Sequence, residues 1–408
     1  MKKRILLVGL DLEPFPNGLQ RLLSPDDSWE FTLLSSGRDA FDTLAGLAAK
    51  TFDGVMEPGF DAAIVDPALP DLDGTRVLEE VRLNYPQTLR FVYAPVSTDS
   101  AQMKSWSTVH HFLAKPCSER ILLDVLKRAF TFAQWLPNRA LHGLITNLQM
   151  IPSPPSLYLE VTRELESPNG TASSVGELIS RDPAMTAKVL QIANSAAFGL
   201  QQQVGDAATA VMYLGVETIK SLILLAHTFA YFESFKPNQF SLQVLWNHLL
   251  TTAHYSRLIG LEEGWGGERG ARVFTAGMLH DLGKLVLAVN LSEQFGLALK
   301  VARENRIPLW KIERDLIGAS HGEVGAALLG IWGLPTEIVE AVAWHHEPRR
   351  VPSLTICPLT IVHVANIIAH RGRQSDLDLV TSDLDESYLA DLNLADRLPV
   401  WQAACLGT

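Results

Sequence analysis

The sequence predicts two folds in succession, an α/β doubly wound domain followed by an all-helical domain. Three observations carry this. Short apolar runs alternate with amphipathic stretches over residues 1 to about 130, the grammar of a parallel sheet with helices on both faces. From about Leu141 onward the strand signal vanishes and apolar residues recur only at helical spacing. Between the two lies a joint marked by Pro137, Pro152, Pro154 and Pro155. At 408 residues the chain exceeds what one core supports, consistent with such a division.

In the first domain, Ile5 to Val8 reads as a buried strand, followed by a helix near Asn17 to Leu23. Phe31 to Leu34 is a second strand before a helical stretch across Ala40 to Ala49. Ala62 to Val65 is a third, before the helix Thr75 to Asn84. Phe91 to Tyr93 and Phe112 to Ala114 complete the sheet, and Glu119 to Phe132 closes the domain as a helix. In a parallel sheet function gathers at the carboxyl ends of the strands, which is where Asp66 and Lys115 stand. In the second domain helices are expected through Val175 to Ile179, Ala187 to Ala193, Val211 to Leu225, Val244 to Ile259, Val273 to Val289 and onward to Ile368. Asp182-Pro183 places a cap residue before a proline at the first helical position. Beyond Gly372 the chain turns acidic and less periodic, with one short helix near Glu386 to Asp391.

Composition bounds the function. A hydrophobic share of 47% and a charged share of 19% describe a globular chain. The net charge of -11 argues against broad binding to nucleic acid or anionic membrane. Cys117, Cys357 and Cys405 are far apart and in no metal-ligand spacing, which suits a reducing compartment. The basic start Met1 to Arg4 meets too short an apolar run for a signal segment, and no run approaches the ~18 residues of a membrane span. A cytoplasmic location is expected.

The chemistry concentrates around His280-Asp281, an adjacent imidazole and carboxylate that can share one divalent cation. His248 precedes them; His321, His345 and His346 follow, all within segments that read as helical. Side chains projecting inward from several helices are how bundles build metal sites. The plain alternative is a set of structural histidines, since the chain has 12.

The stretch Asp66-Pro67-Ala68-Leu69-Pro70-Asp71-Leu72-Asp73-Gly74, with Lys115-Pro116 after the fifth strand, resembles the receiver domains of two-component response regulators. The resemblance covers residues 1 to about 130. It implies that Asp66 is the phosphoacceptor, that Lys115 pairs with the phosphate, and that an acidic pair after the first strand holds magnesium. Here Gly9 and Leu10 stand in place of that pair, with Asp11 and Glu13 displaced. Ala94 stands where a hydroxyl is expected, with Ser97 and Thr98 further on. Fewer hard oxygen ligands weaken a magnesium site, so a receiver fold kept as an interaction module is expected, without lasting phosphorylation of Asp66.

The stretches Ile151 to Pro155, Ile179 to Pro183, Leu190 to Gly199 and Tyr213-Leu214-Gly215 resemble HDOD domains of bacterial signalling proteins, which look like relatives of the HD phosphohydrolases. Phe274 to Lys284, Ser320 to Gly325 and Trp344 to Pro348 continue the match. The resemblance implies that His248, His280, Asp281, His321, His345 and His346 stand at metal-ligating positions and that Lys284 can meet a phosphate. Asn366 stands where the hydrolases place a last aspartate, and a neutral amide is the poorer ligand. The segment Pro348 to Pro352 lacks the glycine-rich signature of cyclic-di-GMP hydrolases. His248, His280, Asp281 and His321 are expected to converge on one cation.

The domains expected are thus a degenerate receiver over 1–132, a linker over 133–147, an HDOD domain over 148–372 and a tail over 373–408. The function expected is bacterial signal transduction, with the receiver controlling an HDOD output domain that acts by binding a protein partner. The alternative is a metal-dependent phosphohydrolase or phosphodiesterase gated by the receiver. A nucleotide-binding sensor without turnover is a third reading. A divalent metal in the HDOD domain and Mg²⁺ in the receiver are the cofactors implied, no direct nucleic-acid contact is expected, and oligomeric state stays open.

Overall fold

The computed structural model describes residues 3–9, 15–22, 29–49, 51–52, 55–56, 59–85, 88–95, 111–120, 122–123, 125–127, 130, 156–167, 170–194, 203–233, 235, 241–332, 334–351, 355–371 and 384–407. Asp11, Glu13, Ser97, Thr98, the joint 133–147 and the stretch Ile151 to Pro155 lie outside them. The chain divides into two compact units that meet in sequence at Pro154 and Pro155, with residues 331–333 grouped with the first.

The first unit is built on a sheet of five parallel strands in the order β2-β1-β5-β6-β7. These are β1 (Lys3–Val8), β2 (Trp29–Leu34), β5 (Ala62–Val65), β6 (Leu89–Pro95) and β7 (His111–Lys115). Ile5 to Val8 and Ala62 to Val65 are fully buried, which is why they read as unbroken apolar runs and not as an alternation. Helices α1 (Phe15–Leu22), α2 (Gly37–Ala49) and α3 (Thr75–Asn84) follow β1, β2 and β5. Leu19 of α1 joins Ile5, Leu7, Phe91, Leu113, Leu122 and Leu126 in one core. A small antiparallel pair, β3 (Thr51–Phe52) with β4 (Val55–Met56), adds to the expected pattern. Two-residue strands are too short to show an alternation, so the sequence carried no signal for it.

The second unit is helical throughout its described residues. Its first helices are α4 (Ser156–Glu166), α5 (Ala172–Ser180), α6 (Pro183–Ala193), α7 (Ala207–Leu214) and α8 (Val216–Glu233). Asp182 caps α6 by accepting from Met185 N, with Pro183 in the first turn. Then come α9 (Leu242–Glu262), α10 (Gly267–Leu279), α11 (Gly283–Asn290), α12 (Ser292–Asn305) and α13 (Leu309–Ile317). The last are α14 (His321–Ile331), α15 (Thr336–Trp344), α16 (Pro358–Arg371), α17 (Glu386–Asp391) and α18 (Leu398–Leu406). Among the described residues no single helix is long and apolar enough to cross a membrane.

Residues 384–407 pack into the helical unit. Leu384, Tyr388, Leu389, Leu392, Trp401 and Cys405 enter one apolar cluster with Ile259, Val273, Ile361, Val364 and Ile368. Trp401 is fully buried and its Nε1 donates to Glu263 Oε1 at 2.8 Å. The segment consists of two short helices joined by a single 3-10 turn, so no face is long enough to display a period.

Candidate metal centre

The histidines singled out in the sequence stand at or next to helix ends and, for His248, on one long helix of the second unit. His248 lies in the second turn of α9. His280 and His345 close α10 and α15, each in helical conformation. In both, Nδ1 meets the carbonyl oxygen three residues back, Gly277 O and Val342 O, at 2.8 Å. A carbonyl only accepts, so each Nδ1 carries the proton and each Nε2 is a bare lone pair. His321 opens α14; its Nδ1 lies 2.6 Å from Glu313 Oε2, and the same oxygen accepts His321 N at 2.7 Å. Local helix-end geometry thus turns three Nε2 atoms in one direction.

They converge on Asp281, whose two oxygens divide the ligands. Oδ1 lies 3.1 Å from His321 Nε2 and 3.6 Å from His345 Nε2. Oδ2 lies 3.5 Å from His280 Nε2 and 3.6 Å from His248 Nε2. His321 Nε2 is 3.1 Å from His346 Nε2, and His248 Nε2 is 3.2 Å from His280 Nε2. Two ligand groups result, Asp281 with His321, His345 and His346, and Asp281 with His248 and His280. The four residues expected on one cation therefore share Asp281 but fall into both groups. Sequence could not foresee the division, because it depends on which oxygen of one carboxylate faces which helix.

A divalent transition cation fits this arrangement. Ligand atoms about 2.1 Å from a shared ion stand about 3.0–3.4 Å apart for right-angled or tetrahedral geometry, close to the spacings above. Asn366 Oδ1 is buried without a hydrogen-bond partner, and His345 Nε2, a bare lone pair, faces Asp281 Oδ1 at 3.6 Å, beyond hydrogen-bond reach. Lone pairs turned toward one another in a buried site repel unless something positive lies among them. Asn366 sits on α16 and is buried.

The protonation states suit the same role. Burial, with adjacent imidazoles, holds His248 and His346 well below the ordinary imidazole range, and burial brings His280 down to about 3. His345 is lowered for the same reason. His321 differs: burial pushes it down, but the Glu313 carboxylate against its Nδ1 and Asp281 on its Nε2 side together outweigh this and raise it, so metal would have to displace a proton there. For Asp281 burial favours the neutral acid, yet Lys284 Nζ at 2.6 Å from Oδ2, together with His280 and His321, outweighs it and keeps the carboxyl well below its usual range. Neutral imidazoles around an ionised carboxylate are the forms that bind metals. Lys284 itself, 8% exposed, sits on the Oδ2 side of the cluster.

Three residues near the centre were not singled out from sequence. Glu313, fully buried, orients His321 in the manner of the carboxylates that stand behind metal-ligating histidines. His363 and His370 lie on α16 with Asn366, and the ring of His370 is 4.2 Å from that of His248. Spacings of three and four along one helix put all three on one face, a signal that the sequence does carry.

In the first unit, Asp66 follows β5 and Lys115 ends β7, at the carboxyl edge of the sheet. Lys115 Nζ reaches Asp66 Oδ2 at 2.5 Å, and Asp66 Oδ1 accepts Ala68 N at 2.9 Å. Gly9 has a φ of 137°, and a Cβ built there would stand 2.7 Å from Asp66 Cβ. A side chain at Gly9 would thus meet the Asp66 side chain. Asp71 accepts Gly37 N and Arg38 N, both at 2.8 Å, so it holds the start of α2.

The profile of the HDOD domain matches residues 151–348. An uncharacterized protein of Treponema pallidum (strain Nichols) is 28% identical over 203 residues, 50% of this chain and 39% of that protein. Ribonuclease Y of Thermus thermophilus is 29% identical over 151 residues, 37% of this chain and 20% of that protein. The chain spans well under half the length of these curated relatives. A crystal structure of an HDOD domain protein from Geobacter sulfurreducens is 23% identical, covers 69% of this chain and 98% of its own, and superposes with a TM-score of 0.49. The chain consists of a receiver-like α/β domain followed by a helical domain that the HDOD family matches over residues 151–348.

Proposed function

We propose that this receiver–HDOD protein is a signal-transduction regulator whose HDOD domain holds divalent metal and acts on a protein partner, under control of the receiver-like domain. The observation that carries the metal is the convergence of His248, His280, His321, His345 and His346 on the two oxygens of Asp281. In this reading the imidazoles and carboxylate hold the ion, Glu313 holds His321 in its ligating tautomer, and Asn366 supplies a neutral oxygen where a bridging charge would favour turnover. Partner binding as the output is favoured by that neutral position and by the 19% charged, acidic composition, which suits protein contacts better than nucleic-acid ones.

A second reading, hydrolysis of a phosphodiester, has its own support: two ligand groups share one carboxylate, and Lys284 stands beside it. Bound metal would polarise a phosphoryl oxygen and supply a water-derived nucleophile. Lys284, if released from Asp281, would offset charge on a phosphate. The name of the Thermus relative assigns ribonuclease activity to that protein, and a phosphodiester is therefore the substrate class to screen first. A nucleotide-binding sensor would use the same Lys284 without turnover.

Metal analysis of the purified protein, thermal unfolding with and without Mn²⁺ or Zn²⁺, and hydrolysis of a generic phosphodiester separate these readings. Bound metal, an upward thermal shift and no turnover are expected, because a ligand of the folded state stabilises it. Turnover by the wild type that His280→Ala abolishes would establish the second reading. Absence of both metal and thermal shift would reduce the cluster to buried structural histidines.

A further inference from the structure

His345 and His346 are consecutive residues that offer ligand atoms to the same group. Neighbours at a helix end ordinarily diverge, so the peptide joining these two must be held in one orientation for both rings to face Asp281. His345 Nδ1 fixes its own ring against Val342 O, but that leaves the carbonyl of His345 to be fixed from elsewhere. His363, on α16 and 1% exposed, donates Nδ1–H to that carbonyl at 2.7 Å. The opposite nitrogen of the same ring, Nε2, accepts Asp385 N at 3.2 Å. Both nitrogens of His363 are thus committed away from the cation groups, and its place in a histidine-rich region is not that of a ligand.

The same C-terminal segment holds the turn after His346 by a second route. Arg349 binds Asp385 Oδ2 at 3.1 Å, Asp391 Oδ2 at 2.7 Å and Ser387 Oγ at 2.8 Å. Tyr388 OH is 2.8 Å from Thr360 Oγ1, tying the segment to the helix that carries His363 and Asn366. Residues 385–391 therefore hold the Arg349 end of the turn directly and the His345 end through the ring of His363.

We propose that His363 is a positioning residue of the metal centre, through which the C-terminal segment sets the orientation of His345 and His346. This rests on the reading of the cluster as a metal site. Partners that orient ligating groups typically change affinity ten- to a hundred-fold when removed.

The test uses the full chain and measures Zn²⁺ affinity by competition with a chromophoric chelator, equivalents bound, and thermal unfolding in chelator. His363→Leu removes both hydrogen bonds; His363→Asn keeps a donor near the position of Nδ1. Asp385→Pro removes the backbone donor at a φ of -78° that proline accepts, and Asp385→Ala controls for loss of the side chain. His363→Leu should lower Zn²⁺ affinity about ten-fold or more while metal-free unfolding stays cooperative, and His363→Asn should recover most of it. Asp385→Pro should bind more weakly than Asp385→Ala. Should His363→Leu not fold, the two Asp385 variants carry the test, and equal affinities overturn the proposal. Wild-type affinity in a folded His363→Leu also overturns it while leaving the metal reading intact. A wild type that binds no Zn²⁺ removes that reading and the proposal with it.

Discussion

Asp281 is the residue on which the centre turns, because its two oxygens face different imidazoles while Lys284 holds it ionised. Apart from His321, which its two carboxylate neighbours raise, the imidazoles opposite it are held neutral by burial, and this has a consequence for stability. His280 titrates at about 3 in the folded chain against 6.5 when exposed, so between those values the unfolded chain binds more protons. His363 and His370, each brought down to about 4 mainly by burial, act in the same direction. The stability of the metal-free helical unit should therefore be full above about pH 6.5 and fall as the pH is lowered toward 4. Urea midpoints between pH 7.5 and 5, a range above most carboxylate titration, check this; a flat profile would show that the rings are solvated. Glu313 gives a second residue-scale expectation. Glu313→Gln leaves a weaker acceptor behind His321 and should lower metal affinity by about ten-fold with little change in fold, as read by chelator competition.

At the scale of elements, the ligands are brought together by close helix contacts that only glycine permits. A Cβ on Gly283, at the start of α11, would stand 1.9 Å from the carbonyl oxygen of His321, at the start of α14. These two helix starts carry Asp281 and His321 within a few residues of the contact. Gly283→Ala must therefore separate them, at a cost of about 1–3 kcal/mol by analogy with overpacked cores, and should lower the affinity of the His321 group for metal. Thermal unfolding and metal titration of this one variant check both, and unchanged affinity would mean that α11 and α14 are not what sets the spacing. The C-terminal elements act differently, through apolar burial. Trp401 is fully buried in the cluster that lines α9 and α16, so Trp401→Ala should cost about 3–5 kcal/mol, measurable by chemical denaturation.

For the whole molecule, the receiver-like domain has five parallel strands and the Asp66–Lys115 pair, with Gly9 and not an acidic residue directly after β1. Acetyl phosphate with Mg²⁺ should leave little lasting label on Asp66; stoichiometric labelling lost in Asp66→Asn would show that a magnesium site is built from other oxygens. The two fold classes were legible in the sequence because burial on both faces of a parallel sheet leaves unbroken apolar runs, and helical packing leaves a period near 3.6. Ile5 to Val8 and Ala62 to Val65 are such runs, and Asp182-Pro183 such a helix start. The identities of the clustered residues were legible too, since His280-Asp281 is a local pair. Sequence by itself thus determined the two fold classes, most of their longer elements and most of the residues that cluster around Asp281, because propensity and periodicity are local properties. Tertiary structure alone decided that Asp281 divides its oxygens between two groups, that Glu313 and His363 stand behind the ligands, and that residues 384–406 belong to the helical core. Each of these depends on distances between elements far apart in the chain, and a one-dimensional pattern holds no record of such distances.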